Sequence, residues 1–225
     1  MKDFEVTKFY VTFSGQIEYV TFPGGVFDSS LSIHYEFIWG PDWSPLSGLS
    51  VGSSQMSRPG TDPERVVFNM PIDMVFTSTN ISGWPQLVIT VKAHNPITGE
   101  SLRGYALALL PSTTGLRQIV SHILRPIAST TFGEWVAWLT GKYPELVESK
   151  MLAHGKDNYL LRTETQGTVT LNVTMISKDL RKLDLIPNIS ARCRIAINNF
   201  NINKRCFYYY YIKMIPTICI LCLIK

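Results

Sequence analysis

The sequence predicts an all-β fold: an antiparallel β-sandwich of about eight strands with one short helix near residues 131–140. Two observations carry this. Apolar and polar residues alternate with period two in short runs rich in β-branched and aromatic side chains, and turn clusters such as Pro23-Gly24-Gly25, Gly40-Pro41-Asp42, the 95–99 segment and Thr113-Thr114-Gly115 separate those runs. Only one stretch asks to be a helix, and the strand spacing fits an all-β sandwich better than βαβ units.

In chain order, residues 4–13 and 16–22 read as two strands divided at Ser14-Gly15, and residues 31–39 as a third. Residues 44–64 are rich in Ser, Gly and Pro with little apolar pattern, so an exposed loop is expected there. Strands follow at 66–77, 87–93 and 102–110. Thr131 and Glu134 have capping-box spacing, Trp135, Trp138 and Leu139 fall at i, i+3, i+4, and Gly141 stops the helix, which is expected to pack its two Trp on the sandwich. The remaining strands are 159–163 and 168–176. In the latter Val169, Leu171, Val173 and Met175 make an apolar face against Thr168, Thr170, Asn172 and Thr174, the pattern of a sheet with one wet side.

The chain has 225 residues and a net charge of +4, with 21 Lys and Arg against 17 Asp and Glu. Six of the cations lie beyond residue 186 and every acid lies at or before Asp184, so the first 185 residues hold 15 cations and 17 acids, a balance of −2. The basic excess therefore gives no nucleic-acid face to the folded part. The expected organisation is one domain over residues 1–185 and an atypical tail over 186–225, rich in Ile, Asn, Tyr and Cys, non-native or disordered. All four cysteines (Cys193, Cys206, Cys219, Cys222) fall in that tail. Ile, Asn, Lys, Tyr and Phe share AT-rich codons, which points to translated intron or a wrongly predicted exon. Lys213 and Pro216 split the apolar run at 207–224, so a spanning helix is not expected. The N-terminus lacks the uninterrupted apolar stretch of a signal peptide, which predicts a cytosolic chain and makes the sequons at Asn80, Asn172 and Asn188 chance.

Catalytic motifs are absent or misplaced. Gly48-Leu49-Ser50-Val51-Gly52 matches G-x-S-x-G, but a nucleophile elbow needs a buried strand before the Ser and a helix after it, and both flanks here read as loop. His34, His94, His122 and His154 are scattered, Cys219 and Cys222 make at most half a zinc site, and Asp28, Asp42, Asp62 and Asp157 are too isolated to predict calcium. No cofactor, no metal and no enzymatic activity are expected. A cation cluster at Lys178, Arg181 and Lys182 is a candidate contact for an anionic surface.

Three strings carry more information: Asn69-Met70-Pro71-Ile72-Asp73-Met74-Val75-Phe76-Thr77-Ser78-Thr79-Asn80, then Gly83-Trp84-Pro85-Gln86, then Arg103-Gly104-Tyr105. With the later Gln166-Gly167-Thr168-Val169-Thr170-Leu171 and Lys178-Asp179-Leu180-Arg181-Lys182, they resemble the B9-domain family of ciliary proteins over residues 9–183. The resemblance implies a sandwich like the C2 lipid-binding fold. It also implies a non-enzymatic scaffold subunit of the transition-zone complex at the cilium base, with its two B9 paralogues and other complex members as partners. Cilium assembly, the barrier to membrane-protein diffusion and Hedgehog signalling are its implied roles, and the cytoplasm, cytoskeleton and basal body its implied location. The alternative is a calcium-independent peripheral phospholipid-binding module. Pro71, Asp73, Trp84, Pro85, Arg103, Gly104 and Tyr105 are then candidate interface or fold-motif residues. Pro71 suggests an edge or bulge, Gly83-Trp84-Pro85 a tight turn with a Trp anchor, and Gly104 a close backbone approach beside an inward Tyr105. The chain departs from the family at Thr114-Gly115-Leu116-Arg117, in the loop after the Tyr strand.

Overall fold

A computed structural model describes residues 7–23, 30–95, 99–128, 130–140, 142–154 and 161–180. Nine strands account for most of them: β1 (Phe9–Thr21), β2 (Ser30–Ile38), β3 (Trp43–Gly48), β4 (Val51–Ser53), β5 (Arg65–Ser78), β6 (Gln86–Asn95), β7 (Gly99–Leu109), β8 (Gly115–Pro126) and β9 (Thr163–Lys178). Helices α1 (Thr131–Thr140) and α2 (Met151–His154) lie between β8 and β9. Every pairing is antiparallel, in the order β3-β5-β1-β9-β8-β7-β6-β2-β4.

Two features fold this continuous order into a C2-like sandwich. β7 and β8 share only two register pairs, Tyr105↔Leu124 and Ala106↔Ile123, whereas β8 pairs with β9 from Gly115 to Pro126. At the other end, Leu49 and Ser50 alone connect β3 to β4, although these strands sit at opposite extremes of the order. A chain segment that switches sheets in two residues brings the two edges together. The layers are thus β3-β5-β1-β9-β8 and β7-β6-β2-β4, and the main core lies between them. Phe13, Ile17, Phe76, Val169 and Leu171 from one layer meet Leu31, Ile33, Leu87, Ile89 and Ala106 from the other, all essentially without solvent contact.

The strands at 31–39, 66–77, 87–93, 102–110 and 168–176 stand where alternation placed them. The expected break at Ser14-Gly15 is absent, since β1 runs through it. Gly15 is there because a Cβ would collide with the Asn172 carbonyl of β9, not because the chain turns. The phase of β1 changes later, at Glu18, an extra residue relative to β9: Phe9, Val11, Phe13 and Ile17 point inward before it, Val20 and Phe22 after it.

The expected loop at 44–64 instead contains β3 and β4. Both lie at the outside of the order and bury almost nothing beyond Trp43, so they need no apolar alternation. β8 was also not foreseen. Its first half is exposed on both sides, which erases the period-two signal. Of the strand expected at 159–163, residues 159 and 160 lie outside the described residues, Leu161 and Arg162 belong to no strand, and Thr163 instead opens β9, which runs unbroken through 164–167.

Helix α1 forms as expected, but its cap sits one residue earlier: the Thr130 hydroxyl oxygen accepts the Gly133 N–H at 3.2 Å. It does not pack Trp135 on the sandwich. Trp135 is 60% exposed, and the buried residue is Ala137. Among the described side chains of α1, the small Gly133 and Ala137 are the half-buried and buried ones, and Phe132, Trp135 and Val136 are exposed. The Trp138 side chain lies outside the described set, as do Arg181, Lys182 and the whole 186–225 segment with its four cysteines.

Candidate functional site

The motif strings occupy three places. The first is an aromatic cluster where the turn before β6 meets the start of β3. Phe76 is its hub, with the rings of Trp39, Phe37, Trp43 and Phe13 centred 5.2, 6.0, 6.2 and 6.3 Å away. Trp84 stacks edge-on against Trp43 at 5.1 Å and Phe13 at 6.1 Å. Buried indoles need acceptors, and these find backbone carbonyls: Trp43 Nε1 donates to Ser82 O at 2.8 Å and Trp84 Nε1 to Leu110 O at 3.2 Å. Gly83, at φ 71°, lies against Gly40, and Pro85 is buried just before β6 begins. The anticipated tight turn with a Trp anchor is therefore present.

The second is a bulge in β7. Val91 pairs with Gly104 and Lys92 with Leu102, so Arg103 is an extra residue. Leu102 and Tyr105 are three positions apart and would otherwise face opposite sides of a strand. The bulge places both in one outer cluster with Ile38, Val88 and Leu152. Gly104 permits it, since a Cβ there would stand 2.8 Å from Leu124 O and 2.6 Å from a methyl of Ile123. The segment 142–154 covers this outer cluster as a strap. Tyr105 Oη accepts the Leu146 N–H at 3.1 Å, Lys150 Nζ lies 3.0 Å from Glu36 Oε1, and Leu146, Ala153 and Leu161 pack at the margin. Arg125 spans the region, bonded to Glu164 at 2.7 Å with its guanidinium carbon 4.1 Å from the Tyr143 ring centroid.

The electrostatics follow from burial. Desolvation raises the pKa of Tyr105, the Leu146 N–H pulls it back, and Glu145 pushes it up again. Desolvation lowers the pKa of Arg103, with Tyr143 opposing and Arg125 adding to the effect. The Glu36 hydrogen bond and charge raise the pKa of the exposed Lys150. None of these shifts sits beside a nucleophile in a catalytic arrangement.

The third is the middle of β5. Pro71 pairs with Gln16 of β1, but β3 reaches only as far as Met74, so Pro71 sits where β5 is an edge, as its missing N–H requires. Asp73 is exposed opposite Ser14, and Gly48 packs against the Asp73 carbonyl.

The other sequence candidates do not converge. Ser50 lies between β3 and β4, and its carbonyl accepts the Phe37 N–H at 2.8 Å, so the strand-to-helix context of an elbow is missing. Asp42 accepts from Asn80 Nδ2 at 3.1 Å, Asp62 from the Glu64 N–H at 3.0 Å, and His34 Nδ1 bonds Ser53 Oγ at 2.9 Å. Among the described residues no group of three or more His, Cys, Asp or Glu is placed to hold a metal, and no helix is long and apolar enough to cross a membrane. Lys178, the described member of the cation trio, has Nζ 5.9 Å from the Tyr10 ring centroid. Sequence reasoning missed the strap. Its packed apolar members Leu146, Leu152 and Ala153 are too sparse among charged residues to show any period.

Sheet order and the two fold-determining motifs define a C2-like antiparallel β-sandwich. Residues 11–176 match the family model described as "Ciliary basal body-associated, B9 protein", and the chain belongs to this B9-C2 family. It is 36% identical to B9 domain-containing protein 1 of Xenopus laevis over 176 residues, which is 78% of this chain and 87% of that protein. The mouse B9 domain-containing protein 1 is 34% identical over the same share of this chain and 85% of its own length. B9 domain-containing protein 2 of Xenopus laevis is 31% identical over 64% of this chain and 80% of its own length.

Proposed function

We propose that this chain is a non-enzymatic scaffold subunit of the ciliary transition-zone complex, working at the cilium base beside its B9 paralogues. There it supports cilium assembly and the barrier to membrane-protein diffusion, with Hedgehog signalling depending on that barrier. The carrying observation is the match of nearly the whole sandwich to a ciliary basal body family whose relatives include B9 domain-containing proteins 1 and 2. Several separately folding paralogues of one sandwich are suited to side-by-side assembly through complementary surfaces. The motif residues support the same reading, because Trp84, Pro85, Gly104 and Tyr105 are taken up in packing and leave the outer surfaces for partners. The phospholipid alternative is not favoured by any contact of Lys178.

The test is to tag the full chain in ciliated cells and purify it. Enrichment between axoneme and basal body, with a B9 paralogue recovered at fixed stoichiometry, is the expected result. A chain spread through the cytosol without B9 partners would overturn the reading.

A further inference from the structure

The β7–β8 hairpin loses its register after two pairs. Continued toward the turn, the Tyr105↔Leu124 and Ala106↔Ile123 alignment would set Leu109 opposite Val120, but Leu109 pairs with Gln86 of β6 and Val120 with Thr170 of β9. The strands diverge into different layers, and residues 115–120 of β8 keep a ladder partner on one side only. Antiparallel strands direct alternate N–H and C=O groups to each side. This stretch therefore presents an outward row of donors and acceptors that no backbone ladder among the described residues fills.

Two of the other outer strands, β3 and β4, are blunted. β3 carries Pro45 and a register shift beside it, and β4 is three residues long. Short strands, Pro and irregularities are the usual means of suppressing edge pairing, and Gly115-Leu116-Arg117-Gln118-Ile119-Val120 has none of them. Leu116 and Val120, on one face by period two, are 71% and 57% exposed, and Ile176 on the outer face of the neighbouring β9 is 60% exposed.

We infer that residues 115–120 form a docking edge for an extended strand of a partner B9-domain protein, which extends the β3-β5-β1-β9-β8 layer by one strand. Open backbone groups select an extended chain over a helix or a bilayer surface, neither of which offers a matching ladder. Alternate apolar side chains of the incoming strand cover Leu116 and Val120. The only charge on the edge is Arg117, bonded to Thr113 Oγ1 at 3.3 Å, which disfavours a basic partner strand. This inference rests on the proposed assembly with B9 paralogues.

The test uses the full chain with a B9 domain-containing protein 2 as probe, reading affinity and amide hydrogen exchange. Expected are at least tenfold slower exchange at residues 116–120 in the complex and more than tenfold weaker binding by Leu116→Lys/Val120→Lys. Both side chains are mostly exposed, so the variant keeps its thermal midpoint, and Leu46→Lys on β3 binds as wild type. A complex in which these amides stay unprotected and the double variant binds normally overturns the docking edge but leaves the scaffold reading standing. No complex at all overturns both. Protection that grows with the concentration of this chain alone makes the occupant a second copy and also overturns the assignment.

Discussion

Gly40 and Gly83 meet backbone to backbone. The Gly40 N–H donates to the Gly83 carbonyl at 2.9 Å, and a Cβ on Gly83 would stand 2.5 Å from the Gly40 Cα. Because Gly83 also holds φ at 71°, alanine there is strained twice. Gly83→Ala is expected to destabilise by more than about 1 kcal/mol. Gly60→Ala, with open space around it and no positive φ, is expected to be neutral within about 0.5 kcal/mol. Urea unfolding of the two variants checks the contrast, and equal midpoints would refute it.

Trp43 and Trp135 should behave as opposites despite being the same residue type. Trp43 is 3% exposed, ringed by Phe9, Phe76 and Trp84, and its indole N–H is satisfied, so Trp43→Ala should cost about 3–5 kcal/mol. Trp135→Ala, on the outward side of α1, should shift stability by no more than about 0.5 kcal/mol. Thermal denaturation decides between this and a helix that packs Trp135 inward.

Tyr105 links stability to alkaline pH. Its pKa is raised in the folded state, so the unfolded chain loses this proton first as pH climbs past about 10. The unfolded state then binds fewer protons, and stability, fully present below that pH, falls through the interval up to the raised folded value. Tyr105→Phe should remove that part of the alkaline slope while losing about 1 kcal/mol at neutral pH with the Leu146 hydrogen bond. An unchanged slope would place the titrating group elsewhere.

The Glu36–Lys150 pair tethers the strap rather than the fold. Lys150 is exposed, so Glu36→Gln should leave global stability close to that of wild type. Hydrogen exchange at Leu152 and Ala153, whose N–H groups bond Ser149 and Lys150 carbonyls, should nevertheless quicken, and should quicken in wild type as salt is raised. Unaltered exchange in both cases would mean that packing alone holds the strap.

Legibility in the sequence tracked burial on one face. The strand at 168–176 was plain because each odd residue from Val169 to Met175 enters the core while the residues between them, Thr170, Asn172 and Thr174, are polar and face the other side of the sheet. β3, β4 and the open half of β8 were invisible because neither of their faces is consistently buried, so no period forms. The split wrongly expected at Gly15 and the real phase change at Glu18 have one cause: a glycine that accommodates a neighbouring strand looks like a turn until that strand is placed. The Trp84 anchor, the edge at Pro71 and the close approach at Gly104 were readable from residue chemistry, while the strap that gives Arg103-Gly104-Tyr105 its purpose was not.

By itself, the sequence determined the all-β class, the inward faces of the long strands and the B9 family, since these rest on local periodicity and on strings of residues in order. Tertiary structure alone decided which strand edges are closed. That depends on where β7 and β8 diverge and on β3 and β4 bridging the two layers, relations between residues far apart in the chain that no local pattern encodes.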